Sequence, residues 1–121
     1  LALSLVLGLL IGNLTLKPLI ARVRPYDANP DFVLLIDRLS DYSFPSGHTL
    51  ASFEAAAVLL MQYRAKAVPA LVLALLIAFS RLYLYVHYPS DVLAGALLGV
   101  AFACIARAAV RRMTARSRIE L

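Results

Sequence analysis

The chain has 121 residues, enough for one domain, and 62% of them are hydrophobic against 16% charged. With a mean hydropathy of +0.81 there are too few polar side chains to coat a soluble domain of this length, so the composition points to a helical protein embedded in a membrane. The net charge of +5 does not indicate nucleic acid: no basic stripe interleaves with aromatics, and five arginines gather at residues 107–118, where they suit a cytoplasmic anchor.

The first predicted helix covers residues 1–23, apolar at first and basic from Lys17 onward. Pro18 inside it predicts a kink or a break. The start at Leu1, within an apolar run and without a basic leader, reads as the N-terminal truncation of a longer parent. Pro25, Asp27, Asn29, Pro30 and Asp31 are loop formers, and the apolar cluster at residues 32–39 suggests a brief helix at the membrane surface. A second long helix is expected over residues 49–63, rich in alanine and ending at Arg64 and Lys66. Pro69 then fits the first turn of a third helix reaching about Tyr85.

His87, Tyr88, Pro89 and Ser90 break the chain. Ser90 can cap a fourth helix, with Asp91 in its first turn where an acidic group suits the helix dipole. That helix is expected to end near Arg112, followed by a frayed polar tail. Gly8 and Gly12, and again Gly95 and Gly99, have the G-x-x-x-G spacing that permits close helix contact, read here as packing within the chain. Cys104, the single cysteine, can form no disulfide within the chain and is assigned to packing.

Charge sets the expected topology. The Arg64–Lys66 turn and the arginine-rich tail are separated by two crossings, so they share a side, which the positive-inside rule makes cytoplasmic. Lys17, Arg24, Ser46, His48, His87 and Asp91 then meet at the opposite, outer face.

Three clusters carry the candidate chemistry. Lys17 and Arg24 are seven residues apart, which on a continuous helix places both on one face, a point charge and a planar fork suited to a phosphate dianion. Arg22 points elsewhere on such a helix and reads as a snorkelling residue. In Pro45-Ser46-Gly47-His48 the glycine allows close backbone approach to an oxyanion at a helix start, the Ser46 hydroxyl and the Ser46 and Gly47 amides can cradle phosphate oxygens, and His48 can exchange a proton near neutral pH. In the third cluster His87 is followed four residues later by Asp91, which can fix the imidazole tautomer and leave the other nitrogen as nucleophile or base. Arg81, next to a bilayer, is a functional candidate because an unpaired arginine there is expensive. Two histidines and one distant cysteine do not have metal-ligand spacing, so no metal site is expected. Glu54, nearly two turns into an apolar helix, faces a polar cavity, pairs with a base, or lies near the interface.

Taken together, K-x(6)-R-P, P-S-G-H and S-R-x(5)-H-x(3)-D, present in order as Lys17, Arg24 and Pro25; Pro45, Ser46, Gly47 and His48; and Ser80, Arg81, His87 and Asp91, resemble the type 2 phosphatidic acid phosphatase superfamily, which also contains the vanadium haloperoxidases. The resemblance covers most of the chain. It implies an all-α integral-membrane bundle, residues 1–121 forming one domain with about four transmembrane helices, the last four of six. It further implies a metal- and cofactor-independent lipid phosphatase acting on undecaprenyl pyrophosphate, phosphatidic acid or phosphatidylglycerol phosphate. His87 would attack phosphorus, Asp91 would orient it, His48 would protonate the leaving oxygen, and Lys17, Arg24, Ser46, Gly47 and Arg81 would hold the phosphoryl oxygens. Expected partners are the lipid phosphate or pyrophosphate and membrane lipids, with no nucleic acid. The alternatives are a vanadium-dependent haloperoxidase, against which the hydropathy argues, and a non-catalytic membrane bundle.

Overall fold

Helix α1 (Ala2–Leu7) passes without interruption into a π-helical stretch, Gly8–Leu16, and then into α2 (Lys17–Ile20); the computed structural model describes residues 1–120. Pro18 explains the π turns. It has no N–H for the carbonyl four residues back, and its ring crowds that carbonyl. The chain widens upstream instead: the Lys17 N–H donates to Gly12 O, five residues back, and Thr15 Oγ1 donates to Leu10 O at 2.6 Å. The helix stops at Ala21, which takes a left-handed conformation with φ 50°.

The single turn α3 (Pro25–Ala28) comes next. Residues 32–39 do not form the expected surface helix; the stretch is irregular. It is too short to nucleate a helix alone, and its polar backbone is claimed by Tyr26, whose hydroxyl accepts from Leu39 N at 3.0 Å and lies 3.3 Å from Leu39 O.

Helix α4 (Gly47–Tyr63) leads through a 3-10 turn, Arg64–Ala67, into α5 (Val68–Tyr83), and α6 (Pro89–Ile119) closes the fold. Three helical stretches are long and apolar enough to cross a membrane, Ala2–Ala28, Gly47–Tyr83 and Pro89–Ile119. The middle one reverses at Arg64, whose φ is 53°, so that α4 and α5 pack on each other as two legs. About four transmembrane helices are expected; three stretches are long and apolar enough to cross, the middle one folded into the two legs α4 and α5. Two boundaries differ from expectation. Tyr88, not Ser90, caps α6, with the Asp91 side chain accepting the Tyr88 N–H at 2.8 Å. The helix also continues past Arg112, because alanine and arginine are good helix formers and Arg116 pairs with Glu120 one turn on at 3.2 Å.

Small residues set the packing. A Cβ on Gly95 would stand 2.7 Å from Ser46 O, and one on Gly99 would stand 2.5 Å from Leu50 O. The α4 and α6 backbones therefore touch, as both G-x-x-x-G pairs were read to allow. Gly8 and Gly12 admit Leu50 from the other side. Large apolar side chains face outward: Leu73, Leu76, Phe79 and Leu97 are all exposed, the surface expected of a bundle solvated by lipid. Cys104 is exposed too, so it does not pack in the core. Glu54 is 1% exposed, lies against Gly8, and neither carboxylate oxygen has a hydrogen-bond partner among the described residues. It does not pair with a base.

Candidate functional site

The N-termini of α4 and α6 are joined at one end of the bundle by a hydrogen bond from Ser46 N to Asp91 O at 3.1 Å. Between them and α2 opens a cavity of about 560 Å³ whose lining includes Asn13, Lys17, Arg24, Gly47, His48 and His87. The motifs widely spaced in sequence thus converge. Arg64, Lys66 and the α6 arginines lie at the far ends of the same helices.

His87 is positioned by a strained turn. Tyr85 adopts φ 59°, an uncommon conformation for an aromatic residue, and its ring packs on Phe32 with centroids 4.3 Å apart. The reversal buries His87, with Nδ1 3.6 Å from Asp91 Oδ2 and Nε2 3.3 Å from Arg24 NH1. Arginine can only donate, so Nε2 is the lone-pair nitrogen and Nδ1 carries the proton toward Asp91. Burial pushes the His87 imidazole below its usual value; Asp91 opposes that shift, and Arg24 and Lys17 add to it. The net shift favours the neutral ring.

Asp91 is fully buried and held from three sides. Its Oδ1 accepts from Arg22 NH1 at 2.6 Å, and its Oδ2 accepts from Tyr88 N at 2.8 Å and from the Ser43 hydroxyl. His48 is exposed on the first turn of α4 and faces the cavity. Residues Gly47 and His48 open α4, so their N–H groups have no intrahelical acceptor and form the positive end of the helix.

Lys17 and Arg24 do meet, although not as neighbours on one continuous helix, since the helix ends between them at Ala21. Both are buried, and both pair with Asp41: Lys17 Nζ lies 2.9 Å from Oδ2 and Arg24 NH2 lies 2.6 Å from Oδ1. Two expectations differ in detail. The Ser46 side chain is fully buried and serves as the α4 cap, with Oγ 3.4 Å from Thr49 N and 2.9 Å from Thr49 Oγ1; it does not line the cavity. Arg81, in the last turn of α5, is absent from that lining as well, and its buried Nε has no acceptor among the described residues.

The PAP2 superfamily model matches residues 1–115. The chain belongs to the PAP2 superfamily. Among PAP2 relatives, it is 39% identical over 101 residues to an undecaprenyl-diphosphatase of Sulfolobus acidocaldarius, covering 82% of this chain and 48% of that protein. It is 36% identical over 94 residues to a lipid A 4'-phosphatase of Bacteroides thetaiotaomicron, covering 72% of this chain and 42% of that protein. The chain spans about half the length of such relatives. Its fold superimposes on a crystal structure of a transmembrane PAP2-type phosphatidylglycerolphosphate phosphatase from Bacillus subtilis with a TM-score of 0.75 at 30% identity, covering 92% of this chain and 57% of that one.

Within this PAP2 chain, Arg22 is the residue that sequence reasoning misplaced. It does not snorkel. Its guanidinium carbon lies over the rings of Phe44 and Tyr88, 5.5 and 5.2 Å from their centroids, and NH1 donates to Ser90 Oγ and Asp91 Oδ1, each at 2.6 Å. Its signal was the R-x-R spacing before Pro25, whose two arginines engage the two ends of the His87–Asp91 pair.

Proposed function

We propose that the protein is a membrane lipid phosphatase that works through a phosphohistidine on His87. The observation that carries this reading is a buried imidazole with its Nδ1 toward a carboxylate, its Nε2 beside a cation, and a second histidine lining the same cavity.

The substrate phosphate lies over Lys17 and Arg24, with oxygens toward the Gly47 and His48 amides and Arg81 adding positive charge behind them. The Nε2 lone pair of His87 attacks phosphorus as the bond to the leaving oxygen breaks. His48 gives that oxygen its proton, and Asp91 stabilises the charged ring. Water then attacks phosphorus, its proton passes to His48, and the N–P bonding electrons return to Nε2. Ser46 acts through the cap that orients these amides. The cationic ends at Arg64, Lys66 and the α6 arginines support a cytoplasmic C-terminus and a site on the outer face. Undecaprenyl pyrophosphate is the first substrate by similarity to the archaeal relative, with phosphatidic acid and phosphatidylglycerol phosphate as rivals.

The test is phosphate release by the full protein in detergent, with undecaprenyl pyrophosphate and phosphatidic acid side by side. Release that resists EDTA is expected; no release from any lipid phosphate would overturn the reading. A second expectation concerns Arg22→Gln. Losing a charge-assisted hydrogen bond to Asp91 lowers kcat about tenfold with KM nearly unchanged, and Arg22→Lys restores part of it. A rise in KM alone would place Arg22 on the substrate instead.

A further inference from the structure

The phosphate-binding cations of the proposed function are already occupied. Arg24 has five N–H donors, and each one has a partner. Nε donates to Asp41 O at 3.0 Å, NH1 to Val86 O at 2.9 Å and toward His87 Nε2 at 3.3 Å, and NH2 to Asp41 Oδ1 at 2.6 Å and Tyr42 O at 3.3 Å. Lys17 Nζ is similarly engaged by Tyr42 O at 3.0 Å and Asp41 Oδ2 at 2.9 Å. A phosphate cannot take a hydrogen bond from Arg24 unless one of these acceptors lets go.

We infer that the Asp41 carboxylate is a resident anion standing in the phosphate subsite, and that the substrate phosphate displaces it. Three observations single it out. The Asp41 side chain is 52% exposed, while those of Lys17 and Arg24 are 7% and 3% exposed, so it is the partner with room to leave. The carbonyls of Asp41 and Tyr42 continue to hold both cations when the side chain rotates away. The backbone on either side is pinned, at Leu39 by the Tyr26 hydroxyl and at Ser43 by a hydrogen bond from its N–H to Arg22 O at 2.9 Å, so only a side-chain rotation is needed. Burial pushes the Asp41 carboxyl up, but Lys17 and Arg24 pull it down further, below its usual range; it is charged at neutral pH.

The arrangement has a physical logic. Two buried cations without a counter-ion are strongly unfavourable, and Asp41 neutralises them while the site is empty. A phosphate dianion with several acceptor oxygens outcompetes one carboxylate, whereas a weakly held anion does not. Asp41 therefore sets how tightly the site holds phosphate, product included. Displacing the carboxylate frees one NH2 donor of Arg24 and one Lys17 donor for phosphate, while the backbone carbonyls keep both cations in place.

This inference rests on the phosphatase reading, and its test separates the two. Inhibition by inorganic phosphate is measured for the full protein and for Asp41→Asn in detergent. The expected result is a Ki about tenfold lower in the variant, since a competing ion pair is gone. The phosphate-induced rise in melting temperature, measured with Asp41→Ala as well, reads binding without turnover and is expected to grow in both variants. A Ki that is unchanged or higher, with no larger thermal shift, would mean that Asp41 merely positions Lys17 and Arg24, and would overturn the displacement. A wild-type protein that neither releases phosphate nor is stabilised by it would overturn both readings.

Discussion

Replacing His87 by alanine is expected to lower kcat by about four orders of magnitude, because under the proposed mechanism the nucleophile, and not merely a contact, is lost. Purified variant and wild type would be compared with the same lipid phosphate, and folding checked by melting temperature. The pH dependence carries a signed companion. In the proposed mechanism the reactive form is the neutral imidazole, and burial pushes the His87 pKa below the usual value, with Arg24 and Lys17 reinforcing the effect against Asp91. Neutral nucleophile thus persists to lower pH, so the acid limb of kcat/KM lies below about 6.5. The charged groups facing the ring are Asp91 from α6, Lys17 from α2, and Arg24 with its partner Asp41 from the loops. Asp91 is the group that raises the pKa, so Asp91→Asn should move the surviving limb lower still. A limb well above 7 would assign the titration to another group.

The second large effect is on the bundle. In Gly99→Val the new Cβ would lie 2.5 Å from Leu50 O, 3.0 Å from Glu54 N and 3.1 Å from Phe53 Cβ. All three belong to the backbone or the Cβ layer of α4, which cannot turn aside as a flexible side chain can. The two helices must separate, at a cost of about 3 kcal/mol, the upper end of ordinary overpacking. The separation also pulls Ser46 from Asp91 O, the hydrogen bond that registers the cap of α4 against the start of α6. Thermal unfolding in detergent should show a markedly lower midpoint for Gly99→Val. Leu97→Ala, on a side chain 64% exposed, should change it little. Equal effects at both positions would refute the close approach of α4 and α6.

What was readable in the sequence follows from which physics is local. Composition announced the membrane, and proline and glycine announced the breaks before α4 and α6. The convergence of Lys17, Arg24, Gly47, His48 and His87 was legible because each motif sits at a helix end and the ends alternate sides. On a continuous helix Arg22 points away from the site; the left-handed Ala21 ends that helix one residue earlier and turns Arg22 toward Asp91. Asp41 is not legible in the sequence because an aspartate in a loop carries no periodicity, and its meaning comes from two cations 24 and 17 residues before it. The stretch at residues 32–39 looked like a helix by apolar content, yet the tertiary contact of Tyr26 with Leu39 decides its shape. Ser46 illustrates a competition the motif conceals: the hydroxyl that could touch phosphate caps the helix instead.

The most direct test of the central claim is to trap the covalent intermediate. The full protein is mixed with lipid substrate labelled in its terminal phosphate, quenched in alkali within the turnover time, and mapped by mass spectrometry of its peptides. A phosphoryl group on the peptide bearing His87, stable in alkali, lost in acid and absent from His87→Ala, is the predicted result. Label on any other residue, or turnover without label at His87, would contradict the account.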